Sequence, residues 1–486
     1  MTISVLDCME SSADDVRTGG PGLEAETAKR KEQSLAGARG PSEDAAPMRS
    51  SSLAALALLA VLAPSRARAG NDDAVLLGNE AAMTGGAVSA VVSDGSATWY
   101  NPAGIAAVDR DTLDLSGSAT MLRIADTPGL LRSATGAQAN GGYYEFLGIP
   151  SAVTLVRRLD CITSLGLGIF VPQLTGHTDR VGLEELTPDY LARFQLTQQE
   201  SSSTYYGGIT LGVALAPNLR IGVTLYGTYR QFALTTQFFG GAERDGEDVF
   251  AFGVGSLTSV QSVSIEVGAG IQWELVPGVH FGASLRSPGL LLGSAFHVTS
   301  STFMGGPDGL DLDITAGSGL EPRIDMVTPA RLRVGLAYRW DGGWIGIDGD
   351  VQHALVRPAI GVNREWVGGV RIGGRVQIDP SLSMGAGLFT DLDATRAVGD
   401  YGQTQIDFFG GTYGLELRNP HRLGEGENAA DIVFVNTFAL RYAVGVGRIG
   451  GLRFDTAADM GEGISIIEVD TQVHEISLHL GSALYF

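Results

Sequence analysis

The side chains from which a metal centre or a nucleophile is usually built are seven histidines and two cysteines, and their spacing builds neither. The histidines form no HExxH or similar cluster, and Cys8 and Cys161 have no metal-ligand spacing, so no metal and no cofactor is expected. An enzyme would need a nucleophile beside a base. His474 and His479 lie close together near the end of the chain, but no Gly-x-Ser-x-Gly accompanies them, and no enzymatic activity is expected. What remains is charge in a regular pattern. Arg331, Arg333 and Arg339 alternate with apolar residues, Asp348 and Asp350 follow two apart, and Arg371 and Arg375 come next. A guanidinium matches a carboxylate bidentately. Arg331, Arg333, Asp348, Asp350 and Arg371 are therefore candidate charges of one interior face. They either meet a ligand carboxylate or pair with one another and stiffen a wall, and the second reading is preferred.

The elements that would position these charges are strands. In 331–340, Leu332, Val334, Leu336, Tyr338 and Trp340 share one face, and Arg331, Arg333, Gly335, Ala337 and Arg339 the other. Segments 220–230 and 475–486 alternate in the same way. Period two means a half-apolar strand. A soluble sandwich shows it too. Three features favour a membrane: the polar face is often charged, the strands are long enough at about ten residues to cross a bilayer when tilted, and an N-terminal address is present. Short turns are expected at 159–161, 217–218, 277–278, 341–343 and 379–380, where Pro, Gly, Asp and Asn supply bend chemistry. Longer connections lie near 173–203, 236–262, 299–325 and 392–405. Outer-membrane barrels have short periplasmic turns and long external loops. The expectation is an all-β transmembrane antiparallel barrel of about fourteen strands over 111–486.

Composition agrees. Of 486 residues 68 are glycine, about twice the roughly 7% of ordinary proteins. No Gly-X-Y period accompanies them, which excludes collagen. The formal net charge of −21 repels nucleic acid. No stretch reaches the roughly 18 apolar residues of a spanning helix. The best apolar run, 53–63, follows Met48-Arg49 and ends in Pro64 and then Ala67-Arg68-Ala69. A positive start, a short apolar core and an A-x-A end read as a signal peptide over 48–69. Residues 1–47 are polar, mixed in charge and almost free of aromatics. They are expected to be a disordered or non-native extension, with a true cytoplasmic extension as the alternative.

Residues 70–110 do not alternate. They contain Asp94-Gly95-Ser96-Ala97 and then Asn101-Pro102-Ala103-Gly104-Ile105-Ala106. This resembles the N-terminus of the FadL family of outer-membrane transport proteins, with Asp94, Ser96, Asn101, Pro102, Ala103 and Gly104 as the matching motif. Residues 328–339 and 366–391 resemble later strands of the same family. The resemblance implies a fourteen-stranded barrel plugged by an N-terminal hatch at 70–110. It implies uptake of hydrophobic molecules such as long-chain fatty acids or hydrocarbons, with lateral exit into the bacterial outer membrane. A general aqueous porin or a structural barrel is the alternative. The implied partners are the hydrophobic ligand, outer-membrane lipid and the barrel-assembly machinery, which would read the terminal Phe486. A monomer is expected. The stretch 181–196, with Pro188 near a plausible helix start, is read as a short amphipathic helix. Its Leu186, Tyr190, Leu191 and Phe194 would form an external landing site, with Phe296, Phe303 and Met304 as weaker candidates.

Overall fold

A computed structural model describes residues 75–186, 191–244, 247–306, 309–319, 328–357, 362–394, 401–423, 430–454 and 464–486. The extension and signal peptide expected at 1–69 lie outside them. Two short helices, α1 (Asn79–Met83) and α2 (Ala97–Tyr100), and a 3-10 turn (Pro102–Ala107) come first. Strands follow: β1 Thr112–Ser133, β2 Gln138–Arg158, β3 Thr163–Leu186, β4 Leu191–Ala216, β5 Leu219–Arg244 and β6 Glu247–Val276. Next come β7 Val279–Arg286, β8 Leu290–Gly306, β9 Gly309–Gly319, β10 Arg331–Trp340, β11 Gly343–Gln352 and the small hairpin β12 Leu355–Arg357 with β13 Val362–Arg364. The last are β14 Val367–Asp379, β15 Leu382–Asp391, β16 Thr404–Leu423, β17 Ala430–Phe454 and β18 Ile464–Tyr485.

Backbone pairing closes the sheet on itself. The circuit runs β1 to β7, then β10, β11, β14, β15, β16, β17 and β18, and returns to β1 through Thr112↔Tyr485 to Asp126↔Gln472. Of the sixteen strands that the described residues form in this sheet, β8 and β9 stand outside the circuit, which leaves fourteen, in line with the expectation of about fourteen. β7 and β8 both pair with β6, over different stretches of it, and Ser287, Pro288 and Gly289 separate them. Closure satisfies backbone groups that an open edge would leave bare in hydrocarbon.

The outward face is apolar and exposed. Leu332, Val334, Leu336, Tyr338 and Trp340 all point out, while Arg333 and Ala337 on the same strand are buried inside. A soluble fold does the reverse. The short turns lie where Pro, Gly and Asp predict them, between β2 and β3, β4 and β5, β6 and β7, β10 and β11, and β14 and β15.

Two expectations are corrected. The connections read as long loops near 173–203, 236–262 and 299–325 are mostly strand, so β3 to β6 and β8 carry the wall well past the short strands β10, β11 and β15. The described residues of the stretch 181–196 are not helical: β3 and β4 pair there from Val181↔Leu196 to Leu186↔Leu191. Val181, Leu183, Ala192, Phe194 and Leu196 alternate with outward polar residues, and this period-two pattern outweighs the apolar spacing that suggested a helix.

Candidate functional site

Inside the ring, residues 75–110 sit in a seat made by inward-facing glycines. A Cβ added to Gly373 would lie 2.0 Å from the Thr84 carbonyl oxygen, and one on Gly282 would lie 2.2 Å from that of Ser89. Gly222, Gly270 and Gly387 are equally closed by Pro102, Asn101 and Thr84. Much of the glycine excess thus serves close approach of two backbones. Polar anchors complete the seat. The Asn101 amide donates to the Ser89 and Ile271 carbonyls at 2.8 and 2.9 Å, and its oxygen caps Ala103 at the start of the Pro102 turn. Pro102 at the first position of that turn has no N–H to lose. Ser96 donates to Asp94, and the Gly95 N–H donates to Asp114 at 2.9 Å. Ala103 is fully buried, and Gly104 leaves no room for a side chain against Val92. The motif residues therefore lie together.

Glu80, on α1, accepts from the Trp344 indole N–H at 3.1 Å. Burial pushes its carboxyl up to about 7, the charge of Asp94 adding to the rise and Arg375 and Arg339 opposing it.

Arg331, Arg333, Asp348, Asp350 and Arg371 lie on the neighbouring strands β10, β11 and β14. Arg333 pairs across from Asp350 on the next strand, and Asp348 across from Arg371 on the one after. Arg331 and Arg371 both bind the Asp350 carboxylate. Asp348 instead accepts from the Ser89 N–H and hydroxyl at 2.9 and 2.6 Å, so it ties the wall to residues 75–110. Arg333 lies over the Tyr100 ring, 4.9 Å from its centre.

Beside α2, Trp99 packs on Phe170, Tyr206 and Tyr226 with ring centres 5.3, 5.0 and 6.0 Å away, and the Arg286 guanidinium lies 3.8 Å over the indole. This cage abuts a seam in the wall. β2 and β3 pair only from Ala152↔Phe170 to Arg158↔Ser164. Beyond that, β2 still pairs with β1 as far as Gln138, and β3 with β4 as far as Leu186, but not with each other. Side chains bridge the interval: Tyr143 stacks on His177 at 4.1 Å, and the Gly176 N–H donates to Glu145. A chamber of about 220 Å³ opens onto the seam, lined by Arg123, Tyr143, His177, Glu200, Phe408 and Glu475 among others. Past it, Phe194, Phe238 and Phe454 stack at 4.3 to 6.2 Å within an apolar cluster that includes Leu130, Val181 and Leu196.

Of the expected landing residues, Phe194 belongs to this cluster and Leu191 is half-buried, but Leu186 is 82% exposed and Tyr190 lies outside the described residues. Phe303 tilts against Phe239, with ring centres 6.0 Å apart. Phe486 is half-exposed, and its N–H donates to the Asp111 carbonyl at 2.9 Å, where the last strand meets the first. Sequence reasoning missed the aromatic cage and the seam. Pro150 and Pro172, each inside a strand pattern, were the available signal, since proline cannot donate to a ladder.

No known family description matches the sequence, and no curated protein matches it. Solved structures do. A Pseudomonas aeruginosa FadL homologue superposes with TM-score 0.54 at 11% identity, covering 86% of this chain and 99% of that one. The Pseudomonas putida toluene transporter TodX does so with TM-score 0.50 at 14% identity, covering 84% and 98%. At such identities the likeness concerns architecture: this chain is folded as the FadL-type channels are.

Proposed function

We propose that the protein is a channel of the bacterial outer membrane that takes up hydrophobic molecules through a plugged barrel and releases them sideways into the bilayer. The observation that carries this reading is the β2–β3 seam beside a lumen filled by residues 75–110. A water-filled pore offers an apolar molecule little. A wall that parts at mid-height leads it into hydrocarbon, where each Å² removed from water contributes roughly 25 cal/mol. Cargo enters at the phenylalanine cluster, passes the chamber and leaves between β2 and β3. Aromatic hydrocarbons suit this route in size and polarity, as does the hydrocarbon chain, though not the carboxylate, of a long-chain fatty acid. In the same reading, residues 48–69 export the chain, 70–110 form the hatch, Phe486 engages the barrel-assembly machinery, and a monomer works within outer-membrane lipid. The charges Arg331, Arg333, Asp348, Asp350 and Arg371 brace hatch and wall rather than meet ligand.

Tyr143→Cys combined with His177→Cys places a thiol on each side of the seam. Oxidation should stop uptake of an apolar fluorescent probe in cells expressing the protein, and reduction should restore it. Uptake indifferent to oxidation, together with large ion conductance in a planar bilayer, would make the protein an aqueous porin instead.

A further inference from the structure

We propose that the chamber at the seam selects cargo by charge, accepting apolar molecules that carry an ammonium or another hydrogen-bond donor and turning away carboxylates. This deepens the channel reading and rests on it. Among the described residues, the lining holds the acids Asp179, Glu200, Asp391 and Glu475 against a single arginine, Arg123. That arginine is already committed. Its guanidinium binds Glu145 at 3.0 Å and Glu475 at 2.7 Å, and Glu475 also takes Arg441 at 2.8 Å. A fatty carboxylate arriving here would have to displace a buried, multiply bonded acid to reach a cation. Breaking such a pair leaves a charge uncompensated in a poorly solvated place.

Glu200 stands in the opposite condition. It projects inward from β4 and lines the chamber, yet forms no hydrogen bond or ion pair with the described residues. Arg123 is the cation that acts on it, and that charge is spent on two other acids. Around it, Tyr143 stacked on His177 and the ring of Phe408 give a flat apolar surface. The His177 Nδ1 and Thr175 Oγ1 atoms, both from chamber-lining residues, have no hydrogen-bond partner among the described residues. An aromatic face beside an unpaired carboxylate suits an aryl or alkyl body with a cationic or donor end, since a cation is held both by the carboxylate and by ring faces. The same group repels an anion, and like charges brought together discriminate strongly against the wrong ligand.

The test uses three ligands with one phenylbutyl or butylbenzene body: 4-phenylbutylamine, butylbenzene and 4-phenylbutyrate. Their binding to the detergent-purified full chain is measured by calorimetry at neutral pH. The amine should bind at least about tenfold more tightly than the carboxylate, with butylbenzene between them. Glu200→Gln keeps the shape and removes the charge, so it should abolish the advantage of the amine and leave butylbenzene unchanged. Should that variant not fold, the ranking in the unaltered protein decides alone. Equal or tighter binding of the carboxylate overturns the inference, as does an amine preference that survives in Glu200→Gln. Butylbenzene binding without charge preference would leave the channel reading standing while removing this one. Binding of none of the three, with no uptake of apolar probe, would remove both.

Discussion

Pro150 on β2 and Pro172 on β3 each lie two residues beyond Ala152↔Phe170, the last pair that joins the two strands. Pairing stops at Ala152 and Phe170, just short of both prolines. Neither residue has an N–H, so neither can carry the ladder past this point. The β3–β4 register also slips between Phe170 and Gln173. Pro150→Val with Pro172→Val returns two donors, each worth about 0.5–1.5 kcal/mol when paired. The seam should zip further, heat resistance should rise, and uptake of an apolar probe should fall roughly tenfold, the ratio matching about 1.4 kcal/mol. Unchanged uptake would mean that cargo leaves elsewhere.

The glycine seat predicts leakage on filling. At Gly387 an added Cβ would lie 2.3 Å from backbone atoms of Thr84, and at Gly222 it would lie 2.3 Å from those of Pro102. Gly387→Val or Gly222→Val should strain the packing by about 1–3 kcal/mol and push residues 75–110 out of place. Single-channel conductance should then rise. Gly349→Val, where nothing lies within 4 Å, is the control and should stay tight.

Glu80 predicts a pH dependence of the hatch. Its carboxyl titrates at about 7 against an ordinary 4.5 because burial disfavours the charge. A raised carboxyl pKa means that the folded state binds the proton more tightly than the unfolded one. The contribution is therefore fully present below pH 4.5 and is lost as pH rises through 7. Residues 75–110 should resist protease better at pH 5 than at pH 8. Glu80→Gln should flatten that difference, and a pH effect of undiminished size in the variant would place its source in another group.

The phenylalanine cluster predicts a concentration-dependent defect. Phe194 stacks on Phe454 at 4.3 Å. Phe194→Ser with Phe454→Ser removes two apolar side chains, each worth roughly 1.5–3 kcal/mol when fully buried. Uptake should weaken at low ligand concentration and largely recover at saturation, with the barrel still heat-resistant on a gel. Uptake unaltered at every concentration would limit these rings to packing.

The alternation of Arg331, Arg333, Asp348, Asp350 and Arg371 was sufficient to place them on one interior face of adjacent strands, because side-chain direction in a strand follows local period two and needs no distant contact. The turns at 217–218, 277–278 and 341–343 were legible for the same reason, since Pro, Gly and Asn act on their own backbone. Other features depended on what lies across the lumen. Asp348 turned to Ser89 inside the ring, 259 positions away in the chain, and nothing in its own strand marks that partner. Residues 181–186 and 191–196 became strand because β3 and β4 could pair along them, a choice made by neighbours and not by local spacing. The seam was hidden for a further reason. Each proline only forbids one bond; that both lie where β2 and β3 cease to pair is a matter of register between two strands, and register is decided when the barrel closes and every strand must take the pairing that its neighbours leave.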